Sequence, residues 1–189
     1  MVVFIVAPKN SGLQKYREIA LSYLSNINAA KVLEVRGEDV PFWVNKLSEK
    51  EKMVIGLTGE DLYKEYCLNN KRQLRIIKRI IWDDPKAKFR KPTLCLIGAK
   101  NSTIKKQNIT VCISSKYKLI GDKFLKRFER KGFVIRKIYV NGCVELSCSE
   151  GIADMIIDIV YTGSSLQKYN LKIIDRIMGS DFLIIGSRR

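Results

Sequence analysis

One stretch of the chain decides how the rest is interpreted: Met155-Ile156-Ile157-Asp158-Ile159-Val160, followed by Tyr161-Thr162-Gly163-Ser164-Ser165-Leu166. The first six residues are apolar except for one aspartate and are rich in isoleucine, which predicts a buried strand. The next six place three hydroxyl side chains around a glycine and predict a turn that begins a helix. Such a turn can hold a phosphate, because the first amides of a helix lack internal partners and point towards a bound anion.

The residue types in and before this turn agree with an anion site. Gly163 allows the backbone to approach a phosphate closely, where a Cβ atom would obstruct it. Two acids upstream, Asp154 and Asp158, are suited to sugar hydroxyls or to a bound magnesium ion. Three hydroxyls add uncharged donors, and they belong to Thr162, Ser164 and Ser165. A second interpretation stays open, in which Ser164 or Ser165 only caps the helix, as serine commonly does.

Strands and helices alternate along the first third of the chain. Sequence patterns predict strands at residues 2–6, 31–36 and 53–57, and helices at residues 13–24, 40–47 and 58–67. This alternation predicts an α/β fold, with a parallel or mixed sheet covered by helices. Polar side chains at the ends of such strands would share one edge of the sheet, and they are Lys9, Arg36 and Thr58.

A second alternating series begins after Pro92. It contains predicted strands at residues 93–98, 109–114, 133–139 and 153–160. Two final strands follow, and the last one returns to the first domain. The predicted domains are therefore residues 1–92 together with 178–189, and residues 93–177. Residues 74–82 fit a strand or a helix, and no internal repeat is evident.

Composition restricts the chemistry and the compartment. The 189 residues include no histidine, which excludes Ser-His-Asp and Cys-His catalysis. The five cysteines are scattered and odd in number, which favours reduced thiols over a disulfide framework. No apolar run approaches the ~18 residues of a membrane span, and the apolar amino terminus is too short for a signal peptide. We therefore expect a cytoplasmic protein without a membrane partner.

The positive charge is concentrated in the middle of the chain. The net charge is +16, and residues 71–137 carry twenty-one Lys and Arg against four Asp and Glu. A positive field can attract polyphosphate substrates, a nucleic-acid surface is a second explanation, and a solvated face without function is a third. Aromatic residues are few in this segment. We therefore expect only weak, non-specific binding to nucleic acid, with a Kd of roughly 10⁻⁴ to 10⁻⁶ M.

Residues 155–166 also resemble a known family. Together with Gly142-Cys143-Val144-Glu145-Leu146 and Gly151-Ile152-Ala153-Asp154, they resemble the phosphoribosyl-pyrophosphate loop of the ATP phosphoribosyltransferases, which open histidine biosynthesis. Further segments resemble motifs of this family, and they occur in the family's order. They are Ala7-Pro8-Lys9, Arg36-Gly37-Glu38-Asp39-Val40-Pro41, Ile55-Gly56-Leu57-Thr58-Gly59-Glu60-Asp61 and Ile113-Ser114-Ser115-Lys116-Tyr117.

The resemblance implies a fold and a reaction. The fold would be α/β, with two periplasmic-binding-protein-like (type II) domains and a central cleft. The substrates would be ATP and phosphoribosyl pyrophosphate. The adenine N1 would displace pyrophosphate at the anomeric carbon and give phosphoribosyl-ATP, with Mg²⁺ as the required cofactor.

The resemblance also implies roles for particular residues. The 5′-phosphate of phosphoribosyl pyrophosphate would lie on Thr162, Gly163, Ser164, Ser165 and Leu166. The catalytic carboxylates would be Glu145, Asp154 and Asp158, with Asp158 also binding the sugar and contacting magnesium. The ATP and polyphosphate groups would meet Lys9, Arg36, Thr58 and Lys116.

The chain departs from the family at its amino-terminal motif. The family has Pro-Lys-Gly-Arg where this chain has Pro8-Lys9-Asn10-Ser11, so an arginine of the ATP site is missing. One alternative is therefore a related two-domain protein that binds ligands without turnover, and a less favoured one is a basic nucleic-acid-binding protein. The chain resembles the short form of the family. For that form we expect a homodimer or larger oligomer, a histidyl-tRNA-synthetase-like regulatory subunit, and no sensitivity of the isolated chain to histidine.

Overall fold

The computed structural model describes residues 3–24, 30–50, 53–70, 74–101 and 107–187. Parts of three predictions fall outside these ranges: the start of the first strand at residue 2, the basic residues at 71–73 and 102–106, and the end of the returning segment at 188–189. By its internal contacts the chain divides into two compact units. The first unit comprises residues 1–82 and 181–189, and the second comprises residues 83–180.

The strands of the described residues are β1 (Val3–Pro8), β2 (Ala30–Val35), β3 (Val54–Gly59), β4 (Arg75–Ile80), β5 (Thr93–Ala99), β6 (Asn108–Ser114), β7 (Val134–Val140), β8 (Met155–Val160), β9 (Leu171–Gly179) and β10 (Phe182–Gly186). The α-helices are α1 (Gln14–Ser22), α2 (Val40–Leu47), α3 (Glu60–Asn69), α4 (Lys118–Glu129), α5 (Val144–Ser149) and α6 (Ser164–Lys168). Short 3-10 turns occupy Ser11–Leu13, Gly37–Asp39 and Ser115–Tyr117.

The sheet of the first unit has the strand order β2-β1-β3-β10-β4. β1 pairs in parallel with β2 and β3, whereas β10 runs antiparallel to β3 and β4. Every residue of β3 is buried, as its apolar sequence predicts for a central strand. Residues 74–82, which fit either type of element, contain β4, because hydrogen bonds to β10 hold this segment extended.

The sheet of the second unit has the order β7-β6-β8-β5-β9. β6 pairs in parallel with β7 and β8, and β5 runs antiparallel to β8 and β9. The two sheets therefore share one topology, in which β8 occupies the position of β3. No repeat is evident in the sequence, because the two units share the order of their strands and not the identity of most of their residues.

The boundaries of the units differ from those predicted at Pro92 and residue 178. The chain passes into the second unit between Trp82 and Asp83, and it returns between Ser180 and Asp181. Residues 83–91 belong to the second unit because they bond to it; the Lys88 amide, for example, donates to the Tyr161 carbonyl at 2.7 Å.

Candidate functional site

The turn at residues 162–166 lies where β8 ends and α6 begins. Gly163 is the N-cap of α6 and has φ 86°, a left-handed conformation that glycine adopts without strain. The backbone conformation therefore favours glycine at this position. Leu166 is buried in the core of the second unit and anchors the turn, whereas Thr162 and Ser164 are exposed. The turn thus presents polar groups on a fixed backbone.

The helix-capping interpretation of the serines is wrong. Ser164 and Ser165 lie within α6, and the N-cap residue Gly163 has no side chain with which to cap. The Thr162 hydroxyl lies 3.1 Å from the Ser164 hydroxyl and 3.3 Å from the Ser164 amide. The second distance exceeds the usual range for an N–H···O bond, so the Ser164 amide remains available to a stronger acceptor.

A cavity of about 170 Å³ opens beside this turn. Its lining combines the end of β8 and all of the turn with one residue each from β5 and α5. The lining residues are Ile97, Glu145, Asp158, Ile159, Val160, Tyr161, Thr162, Gly163, Ser164, Ser165 and Leu166. The structure therefore brings two of the three predicted catalytic carboxylates, Glu145 and Asp158, to the predicted phosphate turn.

The environment of Asp158 disfavours its charged form. Burial raises the pKa of the Asp158 carboxyl above its usual value, and the nearby Glu145 charge raises it further. A hydrogen bond from the Ile159 amide and the positive charge of Lys116 partly offset this effect. Such a carboxylate gains from any ligand that supplies hydroxyl donors or a cation, because these favour the ionised form.

Glu145 reaches the cavity from the first turn of α5. The helix packs against β8, and its first residue, Val144, is buried in the core cluster that also holds Leu166. Cys143, the residue before the helix, has φ 51° and turns the chain sharply after β7. This anchoring holds Glu145 half-buried at the cavity, which the turn also lines.

Asp154, the third predicted catalytic carboxylate, does not line this cavity. It precedes the first residue of β8, whereas the turn follows the last one. Four residues of strand separate Asp154 from Asp158, which is about 13 Å at the usual rise per residue. The Asp154 carboxylate accepts a hydrogen bond from the Thr110 amide at 2.8 Å, so its role is to hold β8 against β6.

Lys116 lies in the second unit, in the 3-10 turn that follows β6. Its side chain is exposed, and its ammonium group lies 5.1 Å from the centre of the Tyr117 ring. Its charge acts on the Asp158 carboxyl. The structure therefore associates Lys116 with the Asp158 carboxyl of the same unit.

Lys9, Arg36 and Thr58 follow or end neighbouring strands of the first unit. β1 and β2 are in register at Pro8 and Val35, so Lys9 and Arg36 lie side by side at one edge, and both are exposed. Thr58 differs from them because its side chain is fully buried, and its hydroxyl lies 3.4 Å from the Gly37 carbonyl. The expected shared edge is present, but Thr58 does not offer its hydroxyl to solvent there.

Residues 83–91, which no sequence motif includes, lie against the turn. The Tyr161 hydroxyl donates a hydrogen bond to the Asp84 carboxylate, and the Lys88 side chain runs past Gly163. The turn residues Asp83-Asp84-Pro85 before β5 indicate a loop here but not what the loop contacts. Local sequence cannot show that a loop packs against a segment about 75 residues away.

The described ranges lack two features, a multi-residue metal cluster and a membrane-spanning helix. No cluster of three or more His, Cys, Asp and Glu side chains that could hold a metal ion occurs in those ranges. None of the helices in them is long and apolar enough to cross a membrane. The acidic groups at the cavity are the pair Glu145 and Asp158.

The chain is similar in sequence to ATP phosphoribosyltransferases. The sequence model of the family described as "HisG: ATP phosphoribosyltransferase" matches residues 36–189. The ATP phosphoribosyltransferase of Oceanobacillus iheyensis is 29% identical over 157 residues, which cover 83% of this chain and 66% of that protein. That of Petrotoga mobilis is 31% identical over 154 residues, which cover 81% and 64%. The chain thus spans about half to two thirds of the length of such relatives.

Solved structures with the same fold include transferases and binding proteins. The HisG:HisZ ATP phosphoribosyl transferase complex from Thermotoga maritima matches with a TM-score of 0.75 and 22% identity, covering 98% of this chain and 87% of that one. The periplasmic aliphatic sulphonate binding protein SsuA from Escherichia coli matches with a TM-score of 0.60 and 15% identity, covering 99% and 61%. These similarities confirm the predicted α/β, periplasmic-binding-protein-like (type II) fold.

Proposed function

The chain belongs to the ATP phosphoribosyltransferase family, and from this premise we propose that it condenses ATP with phosphoribosyl pyrophosphate. In the proposed reaction the adenine N1 attacks the anomeric carbon of the ribose and pyrophosphate leaves, which gives phosphoribosyl-ATP. The observation that carries the proposal is the cavity at the end of β8. It unites an open phosphate turn with two carboxylates, which are the groups that a phosphorylated sugar needs.

The turn would bind the 5′-phosphate of phosphoribosyl pyrophosphate. Thr162, Ser164 and Ser165 would donate hydroxyl hydrogen bonds, and the exposed amides at the start of α6 would donate backbone ones. Gly163 would allow the phosphate to approach the backbone, and Leu166 would anchor the turn from the core. Each hydrogen bond to a charged phosphate contributes about 1.5–3 kcal/mol, so the turn accounts for a large part of the affinity.

The two carboxylates would bind the ribose and stabilise the reacting centre. Asp158 lies within β8, four residues before Thr162, and it lines the same cavity as Glu145 and the turn, where the ribose of a bound 5-phosphate would extend. Positive charge develops on the ribose as pyrophosphate leaves. Fixed carboxylates stabilise such charge without donating or accepting a proton, which agrees with a chain that contains no histidine.

The residues present fit a magnesium ion bound together with the substrate. Mg²⁺ is commonly held by one or two carboxylates plus the phosphates of a substrate, and Asp158 and Glu145 supply this donor set. When bound, the ion would neutralise charge on the pyrophosphate group. The raised pKa of Asp158 agrees with a carboxylate whose charged form needs such a partner.

We propose that the ATP and polyphosphate groups contact the basic residues Lys9, Arg36 and Lys116. Lys9 and Arg36 lie side by side at the strand ends of the first unit, and Lys116 lies near Asp158 in the second. Thr58 is left out of the proposed set because its side chain is buried. The excess of basic residues at 71–137 would attract both polyphosphate substrates by its field.

We also propose that the chain works in an oligomer with a histidyl-tRNA-synthetase-like regulatory subunit. The support is its structural similarity to the HisG:HisZ complex from Thermotoga maritima. This proposal is tested by co-purifying the chain with such a subunit from the same source and then measuring the mass of the complex. A chain that stays a monomer at every concentration and does not bind the candidate subunit would contradict the proposal.

The proposed reaction is tested by mixing the purified chain with ATP, phosphoribosyl pyrophosphate and Mg²⁺ and following the ultraviolet absorbance of the adduct. We expect adduct formation that depends on all three components. Asp158→Asn should lower the rate strongly, because it removes a charge from the cavity. Asp154→Asn is the matched control on the same strand and should leave the rate near that of the wild type.

Two results would revise the proposal. Tight binding of phosphoribosyl pyrophosphate without any adduct, with and without the candidate partner subunit, would identify a binding protein and not an enzyme. Equal losses of rate in the two aspartate variants would show that the cavity at the end of β8 is not the reaction site.

A further inference from the structure

We propose that Lys88 is a further substrate-binding residue, whose ammonium group binds the phosphate held by the turn at 162–166. This inference rests on the proposed function and adds a charged group to that site. The sequence motifs do not include Lys88, which lies in the loop 83–91 before β5. Its position depends on contacts between this loop and the end of β8.

Two hydrogen bonds attach the loop to the residue before the turn. The Lys88 amide donates to the Tyr161 carbonyl at 2.7 Å, and the Tyr161 hydroxyl donates to the Asp84 carboxylate. Tyr161 is thus held through both its backbone and its side chain. Because Thr162 follows directly, the loop and the phosphate turn are fixed relative to each other.

The loop is also fixed internally. The Asp84 amide donates to the Arg90 carbonyl at 2.7 Å, and the Arg90 amide donates to the Ala87 carbonyl at 2.9 Å. The Arg90 guanidinium pairs with both carboxylate oxygens of Asp83, at 2.5 and 3.0 Å. Arg90 has φ 61°, an uncommon backbone conformation for a residue other than glycine, which these bonds hold in place.

The Lys88 side chain runs along the glycine of the turn. Its Cδ atom lies 3.4 Å from the position that a Cβ atom on Gly163 would occupy. The side chain is exposed, and among the described residues none forms a hydrogen bond or an ion pair with its ammonium group. An uncommitted cation therefore lies within reach of an anion bound at Gly163.

The turn lacks a positive charge of its own to balance the negative charge of a bound phosphate. The donors of residues 162–166 are hydroxyls and amides, which carry no net charge, and α6 has only five residues. A sugar phosphate bears up to two negative charges, and lysine is a common point-charge partner for phosphate. Lys116 acts on Asp158 and is proposed above to contact the polyphosphate groups, and the Lys168 ammonium lies 5.1 Å from the centre of the Tyr169 ring.

The test measures affinity for ribose 5-phosphate and phosphoribosyl pyrophosphate by calorimetric titration of the full chain. Lys88→Met keeps the length of the side chain and removes the charge. We expect about a tenfold weaker Kd for both ligands, the lower end for a lost hydrogen bond to a charged group. The melting temperature should hardly change, since the side chain is exposed and the loop is held by backbone bonds.

Two matched variants separate a local contact from the general field. Lys88→Arg keeps the charge and should restore most of the affinity. Lys100→Met removes one charge just beyond the other end of β5, about 20 Å away along the strand at the usual rise per residue, and should leave both Kd values unchanged. The salt dependence of binding should weaken in Lys88→Met and not in Lys100→Met.

The outcomes distinguish this inference from the function on which it rests. A wild-type chain that binds neither ligand would overturn both. A wild-type chain that binds and turns over, together with a Lys88→Met variant of equal affinity, would overturn the role of Lys88 alone. Equal losses in Lys88→Met and Lys100→Met would show that only net charge matters, which would also refute the specific contact.

Discussion

The two units contain the same short pattern at topologically equivalent positions, and they use it differently. Thr58-Gly59-Glu60-Asp61-Leu62 ends β3 and begins α3, and Thr162-Gly163-Ser164-Ser165-Leu166 follows β8 and begins α6. Both have the form Thr-Gly-x-x-Leu. The two variable positions are acidic in the first unit and carry hydroxyls in the second.

In the first unit the protein itself supplies the anion at the helix start. Glu60 is buried, and its carboxylate pairs with the Arg79 guanidinium and, at 2.9 Å, with the Lys64 ammonium. The Glu60 amide donates to the Asp181 carbonyl at 2.8 Å. The groups that could hold a phosphate are therefore already occupied, and Thr58 is buried beneath them.

In the second unit the equivalent groups remain open. Thr162 and Ser164 are exposed, and Gly163 takes a left-handed conformation, whereas Gly59 has φ −70° and an extended backbone. Both Thr-Gly-x-x-Leu segments therefore form a strand-to-helix turn, and the two variable residues decide whether ion pairs of the protein itself occupy the turn or its polar groups stay exposed. Four sets of variants test this contrast between the two turns.

The largest effect should come from giving the second turn the acids of the first. Ser164→Glu with Ser165→Asp should weaken binding of phosphoribosyl pyrophosphate by more than about 100-fold, because like charges in contact cost several kcal/mol. The fold should persist, since acids at a helix start are favourable. Titration and thermal melting measure the two effects, and Ser164→Ala with Ser165→Ala is the control without charge. Retained affinity in the acidic variant would refute the phosphate site.

The next effect separates the two threonines. Thr162→Val keeps the side-chain shape and removes a hydroxyl, so affinity for phosphoribosyl pyrophosphate should fall by roughly 10- to 100-fold, as for a lost bond to a charged group. Thr58→Val makes the same change in the first unit and should leave affinity unaltered. Titration measures the ligand affinity of both variants, and a melting curve measures their thermal stability. If the two variants lose affinity equally, the distinction between an open and an occupied turn is wrong.

A smaller effect on stability is expected in the first unit. Burial opposes the ionisation of Glu60, but its bonds from Arg79 and Lys64 together lower its pKa. Glu60→Gln should reduce the free energy of unfolding by about 1 kcal/mol, since Arg79 remains partly in solvent. The stabilisation is present above the unfolded-state pKa and is lost as pH falls through the lower folded-state value. Urea unfolding at pH 7 and near pH 3 should show the difference from wild type shrink in acid, with ligand affinity at pH 7 unchanged.

The smallest effect has the opposite sign and lies in the second unit. Because the pKa of Asp158 is raised in the folded protein, the folded state binds more protons than the unfolded state between the two pKa values. Stability contributed by this group therefore falls as pH rises through that window. The free energy of unfolding of Asp158→Asn should be slightly larger than that of the wild type at pH 7, and the difference should shrink near pH 4. Turnover of this variant should be lost. Urea unfolding at both pH values checks this, and a variant less stable at pH 7 would contradict it.

The strand, turn and helix at residues 155–168 were predictable because their signals are local. Apolar residues before a glycine and hydroxyls place a strand, a turn and a helix within twelve residues, and the structure has β8, Gly163 and α6 there. The shared strand edge of Lys9 and Arg36 was predictable for a similar reason, since parallel neighbours align their carboxyl ends.

Other features depended on distances that local sequence does not contain. Asp154 and Asp158 are four residues apart and looked equivalent, but an extended strand places them about 13 Å apart. Thr58 occupies the same place in its pattern as Thr162, yet packing beneath Gly37 buries it. Pro92 suggested a domain boundary, although the loop before it bonds to Tyr161 and belongs to the second unit.

The amino-acid sequence was sufficient to predict the α/β class and the turn at residues 162–166, because both follow from the order of neighbouring residue types, and its short motifs carried the resemblance to the family. Only the tertiary structure decided which of two Thr-Gly-x-x-Leu turns stays open, which carboxylates share its cavity, and that Lys88 lies beside Gly163. Burial, ion pairing and contact between segments about 75 residues apart are properties of the packed chain. They exist only after the sheets have brought those segments together.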